Sequence, residues 1–113
     1  MNTDTDTDKQ TAQTILAQLG GNHFATMTGA KNFTVTSNGL MFSLPGGRGY
    51  TTNGINRVCI TLNGLDLYDV TYYRIRGVEC KVVTESLDVY CDQLRGNFEL
   101  TTGLYTSLGT LAG

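Results

Sequence analysis

The chain holds one histidine, His23, and three cysteines, Cys59, Cys80 and Cys91. A histidine acting as general base needs an acid to orient it and a nucleophile to activate. Neither stands near His23 in sequence, so a structural or solvent-exposed role is expected. The cysteines are odd in number and widely spaced, with no Cys-x-x-Cys, which argues against zinc. They read as small buried apolar side chains in a reducing compartment, with one disulfide plus a free thiol as the alternative. Asp66 and Asp69 are an odd offset apart, so a strand sends them to opposite faces and they make a weak acid/base pair. Two glycine-containing stretches, Thr28 to Asn32 and Pro45 to Gly49, lack the GxxxxGK[ST] spacing before a helix that cradles phosphate. No catalytic, metal-binding or cofactor-binding residue is assigned, and the chain is not expected to be an enzyme.

The remaining chemistry is arginine and tyrosine. Arg57, Tyr68, Tyr72, Arg74 and Arg76 fall in one strand-rich region, with Lys81 following. Alternation puts Tyr68, Tyr72, Arg74 and Arg76 on one strand face. Arg48 and Tyr50 sit near the tip of a Gly-rich loop. Such residues serve protein–protein hot spots, and they also stack single-stranded bases. The plain alternative is a sheet face partly covered by a helix, with arginines at its rim.

The elements that would position these groups follow from periodicity. Ala12, Ile15, Leu16 and Leu19 mark one face of a helix over 9–19, stopped by Gly20-Gly21. Short strands are predicted at His23–Thr28, Asn32–Thr36 and Leu40–Leu44, with Phe24, Met27, Phe33, Val35, Met41 and Leu44 as core candidates. The strongest hairpin joins Ile55–Leu62 to Leu65–Arg76, and Gly77 turns the chain into Val78–Thr84. Leu87, Tyr90, Cys91, Leu94 and Phe98 predict a second helix from about Ser86 to Leu100. Asn38-Gly39, Asn53-Gly54 and Asn63-Gly64 carry the signal of a type I′ turn. The first and third read as turns between paired strands. The second closes the Gly-rich loop and borders the candidate surface.

The expected fold is α+β: an antiparallel sheet of about five or six strands with an N-terminal and a C-terminal helix packed on it in two layers. At 113 residues one domain is expected, over 10–108. Residues 1–9, with their Thr-Asp repeat, read as a disordered tail, and 109–113 as a flexible C-terminus. The net charge of −2 comes from that tail. Setting aside Lys9, Asp4, Asp6 and Asp8 leaves seven cations and seven acids. A near-neutral body speaks against a strongly basic nucleic-acid binder and against a nucleic-acid mimic. No apolar run approaches the roughly 20 residues of a membrane span, and the start lacks a signal peptide's basic and apolar regions. The expected location is the cytoplasm.

Two stretches carry a resemblance: Thr14 to Phe33 (TILAQLGGNHFATMTGAKNF) and Gly54 to Asp69 (GINRVCITLNGLDLYD), the latter continuing to Arg74-Ile75-Arg76-Gly77. The segments Asp88 to Leu94 and Thr102 to Tyr105 add to it. Together they resemble a group of small, poorly characterised accessory proteins carried by phages, prophages and conjugative elements. The resemblance implies no catalytic residues. It implies a protein that binds and blocks a host protein or nucleoprotein complex, in the manner of an anti-CRISPR inhibitor of host defence. A single-stranded nucleic-acid-binding module is the alternative.

Overall fold

A computed structural model describes residues 3–45 and 51–104. It is α+β, with one open antiparallel sheet and helices from both ends of the chain on it. Helix α1 spans Thr3–Leu19 and α2 spans Asn22–Thr28. The strands are β1 (Lys31–Thr36), β2 (Gly39–Ser43), β3 (Arg57–Leu62), β4 (Tyr68–Arg76) and β5 (Glu79–Val89). Helix α3, Leu94–Thr102, follows. The strand order is β1-β2-β3-β4-β5, a simple meander.

One sheet face is buried. Leu40, Phe42, Val58, Ile60, Tyr68, Val70 and Tyr72 pack there against Ala12, Ile15 and Leu19 of α1, Phe24 of α2, and Leu94 and Phe98 of α3. Phe24 lies at the centre, with ring centroids 5.3 Å from Phe42 and 5.2 Å from Phe98, both edge-on. That geometry sets the positive ring edge against the negative face and adds about 0.5–1.5 kcal/mol per pair beyond burial. Two tyrosines tie helices to the sheet: the Tyr68 hydroxyl donates to Gln18 Oε1 (2.6 Å) and the Tyr72 hydroxyl to Asn97 Oδ1 (2.7 Å).

Three local expectations are corrected. The segment His23–Thr28 is not a strand but the body of α2. Phe24 and Thr28 are one helical turn apart, and both are buried. Gly29, at φ 73°, ends the helix with its N–H on the Ala25 carbonyl. The second helix does not begin at Ser86, because β5 runs on to Val89 and its backbone groups pair with β4. Leu87 and Tyr90 are exposed, and only Leu94 and Phe98 of the predicted stripe are buried. At the N-terminus, α1 begins at Thr3, within the stretch expected as a tail. The Asp8 carboxylate accepts a hydrogen bond from the Asn38 N–H (2.9 Å), which ties that part of the helix to the β1–β2 turn. Among the core candidates, Phe24 and Leu44 are buried, while Phe33 and Val35 are exposed on the edge strand β1.

The three Asn-Gly pairs behave differently. The β1–β2 turn uses Asn38 at φ 58°, with Gly39 already paired in β2. A Cβ at Gly39 would collide with the Ile60 carbonyl oxygen of β3. Asn63-Gly64 is not a type I′ turn, since neither residue has positive φ. Instead the Asn63 side chain accepts from the N–H groups of Leu65 and Leu67, and Asp66 takes the left-handed position at φ 62°. Asn53-Gly54 alone has both residues left-handed, Asn53 at φ 55°, ψ 20° and Gly54 at φ 73°. The Ile55 N–H closes that turn on the Thr52 carbonyl, the geometry of type I′.

Two outcomes follow. Gly39→Ala should lower stability by about 1–3 kcal/mol through overpacking, measured as a fall in the urea midpoint without a change in slope. Burial raises the Tyr72 phenol well above its ordinary range, opposed in part by a hydrogen bond with Thr101. Above pH about 10 the unfolded chain therefore loses a proton that the folded chain keeps, and stability falls as pH rises. In Tyr72→Phe that alkaline loss should be smaller, although the variant starts about 1–3 kcal/mol less stable because Asn97 loses its donor. An unchanged alkaline slope in denaturant titrations would contradict the assignment.

Candidate functional site

β4 decides where the expected binding residues go. Its even-numbered side chains share a face, as alternation requires. Along its first half that face is the core, so Tyr68 and Tyr72 are buried, at 4% and 0% exposure. They are not part of an exposed surface, and their assignment to partner binding is corrected on that ground. Beyond Tyr72 the same face leaves the helix layer, and Arg74 is half-buried while Arg76 is exposed. Arg57 stands apart from them. It pairs with Tyr73 and Ser43 in the ladder, on the sheet face that carries no helix. Arg48 and Tyr50 lie outside the described residues.

The structure adds a partner to Arg74. Lys81 of β5 is directly opposite it in the β4–β5 ladder, and Glu79 is opposite Arg76. This face of the hairpin end thus holds three cations and one acid. Two like charges across a ladder destabilise the pair, and neither the Arg74 nor the Lys81 side chain has a hydrogen bond or ion pair to another described residue. With Asn53, Val82 and Val83 they line a cavity of about 250 Å³.

The backbone around Arg74 is held firmly. The Asn56 side-chain amide donates to the Ile75 carbonyl and accepts from the Ile75 N–H, both at 2.8 Å. The Asn56 backbone N–H donates to the Tyr73 carbonyl at 2.9 Å. Asn56 therefore extends the β3–β4 ladder around Arg74, with its backbone on the Tyr73 side and its side chain on the Ile75 side. The Arg74 stem also lies over the type I′ turn, where a Cβ on Gly54 would stand 3.0 Å from Arg74 Cδ. Thr51 steadies the turn by donating its hydroxyl to the Ile55 carbonyl (2.6 Å). Turn, strand and hairpin thus converge on the backbone and stem of one arginine. Asn56 carried no signal in the sequence, because its ladder role depends on a partner 19 residues away.

The other candidates are placed as follows. His23 is exposed on α2. Cys59 is half-buried, whereas Cys80 and Cys91 are exposed, so the expectation of three buried thiols is corrected; all three are free. Asp69 and Asp88 both accept from the Asn63 side-chain amide (3.1 and 2.9 Å), and Asp69 also accepts from the Asp88 N–H (3.1 Å), which makes them parts of a loop clasp. Tyr73, half-buried on the helix-free face, has its phenol raised by burial first and by Cys59 and Cys80 second. Among the described residues no group of three or more His, Cys, Asp or Glu could hold a metal ion. No helix there is long and apolar enough to cross a membrane.

A second feature runs along the same edge. A groove of about 460 Å³ lies between β5 and α3, flanked by Leu87 and Leu100. No family model, curated protein or solved structure matches the chain.

Asn56→Ala should cost about 1–3 kcal/mol, since the Ile75 N–H and carbonyl each lose a part-buried partner. Amide hydrogen exchange at Ile75 should rise more than at Val70, in the middle of β4. Equal protection at Ile75 in both proteins would show that the side chain does not extend the ladder.

Proposed function

We propose that this chain is a non-enzymatic protein-binding module whose contact surface follows the β5 edge of the sheet. One observation carries the reading. Leu87 of β5 and Leu100 of α3, exposed at 62% and 88%, flank the groove between those two elements, and Val82 of β5 and Tyr90 just after it are exposed at 54% and 57%. Exposed apolar side chains grouped beside a groove mark partner surfaces more often than isolated ones do, and cations at one end add specificity of orientation. Burial of Tyr68 and Tyr72 removes the stacking platform that the single-stranded nucleic-acid alternative relied on. The resemblance to phage and prophage accessory proteins supplies the biological context. There the module acts as a stoichiometric, anti-CRISPR-like inhibitor of a host defence complex in the bacterial cytoplasm.

The chain immobilised in a bacterial lysate should capture a specific host protein, identified by mass spectrometry. Leu87→Asp with Leu100→Asp should weaken that capture at least tenfold while circular dichroism stays unchanged, both side chains being exposed. Expression of the chain in a CRISPR-proficient host should restore phage plating, and in a CRISPR-deficient host it should change nothing. Recovery of no specific protein, together with tight single-stranded DNA binding that falls steeply with salt, would favour the alternative and end this reading.

A further inference from the structure

We propose that Arg74 and Lys81 form a preorganised seat for carboxylates, and that the module anchors an acidic segment of its protein partner there. The inference rests on the protein-binding reading and names the chemistry of one end of that surface. Arg74 and Lys81 face each other across the β4–β5 ladder. Neither side chain has a hydrogen bond or ion pair to another described residue. A folded chain keeps an opposed pair of cations at a cost in self-repulsion, and a bound anion relieves it.

The seat is built from three separate segments. Asn56 brackets the Arg74 backbone through hydrogen bonds to Tyr73 and Ile75. Gly54 lets the Arg74 stem cross the left-handed turn without a clash. Lys81 adds a point charge, and Asn53 and Val82 border the cavity of about 250 Å³. The backbone of Arg74 is fixed and its stem is directed over the turn, and the planar guanidinium fork at the end of that stem matches a carboxylate.

The chemistry of the surroundings selects an acidic peptide over a nucleic acid. A nucleic-acid track needs cations spaced along a groove and aromatic faces for the bases. Here the cations form one compact pair with Arg76 beside it, Glu79 faces Arg76, and Tyr68 and Tyr72 are buried. A pair of carboxylates matches that extent. Val82, exposed at 54%, gives the peptide backbone an apolar flank.

The test titrates the full chain with an N-acetylated, C-amidated hexaglutamate peptide at low salt. Two-dimensional NMR reads the Arg74 side-chain Nε–H and the Lys81 amide. Both should shift in a saturable way. Arg74→Gln and Lys81→Gln should each weaken binding at least fivefold. Arg74→Lys, which keeps the charge but not the fork, should weaken it at least twofold. Arg57→Gln on the opposite sheet face should leave it unchanged. No saturable shift, or an equal loss with Arg57→Gln, overturns the seat. Tighter, Arg74-dependent binding of the oligonucleotide dT12 overturns the assignment to carboxylates. Capture of the host protein by Arg74→Gln at wild-type strength overturns the seat while leaving protein binding intact. Peptide binding with no captured protein would overturn protein binding instead.

Discussion

The alternation of β4 is the constraint on which the molecule depends. Tyr68, Val70 and Tyr72 all point into the helix layer, and each helix that covers the sheet meets that row or its neighbours. A buried phenol must keep its hydroxyl bonded, because an unpaired one costs about 1–3 kcal/mol. Gln18 and Asn97 meet that need, and in doing so they join α1 and α3 to the same strand. Asn97 also donates to the Ser86 hydroxyl at 3.0 Å, so β5 enters the same network. The polar requirement of two tyrosines thus sets where both terminal helices sit.

The same alternation creates the candidate site. A strand cannot turn its even positions inward for half its length and then hide them for the rest once the helix cover ends. Arg74 and Arg76 emerge where the apolar layer stops, at the turn end of the β4–β5 hairpin. Gly77 makes that hairpin turn tight, with positive φ at Gly77 and not at Val78, the pattern of a type II′ turn. Tight closure puts Lys81 across from Arg74 and not one residue to either side. Two register irregularities in the β4–β5 pair blunt the outer edge of β5. Bulges of this kind discourage continued sheet growth by other chains, so side chains rather than the strand's backbone dominate what this edge offers.

Much of the sheet was legible in the residues. The β3–β4 hairpin and the start of β5 stand close to their predicted spans, because β-branched and aromatic runs bounded by Asn and Gly have few other uses. The grouping of Tyr68, Tyr72, Arg74 and Arg76 on one face was also legible, since it needs nothing beyond a period of two. The α2 segment was not, because Phe24-Ala25-Thr26-Met27-Thr28 satisfies both periods and its length is too short to arbitrate. The Ser86–Val89 stretch misled for a related reason. Leu87 and Tyr90 fit the helical stripe of Leu94 and Phe98, but hydrogen bonds to β4 outweighed that local pattern. The Asn-Gly pairs marked chain reversals at all three places. Their turn types depended on loop length and on what each side chain could bond, as Asn63 shows.

By itself, then, the sequence determined the α+β class, the strongest hairpin and the two-faced character of β4. These are local properties, written in spacings of two and four residues and in left-handed turn positions. Tertiary structure decided which face of β4 lies inside, because only the helices show where water is excluded. It moved Tyr68 and Tyr72 into the core and Arg57 to the other side of the sheet. It also brought Gly54, Asn56, Arg74 and Lys81 together from separate segments. No short-range pattern encodes such a meeting, since each member answers to a neighbour many residues away.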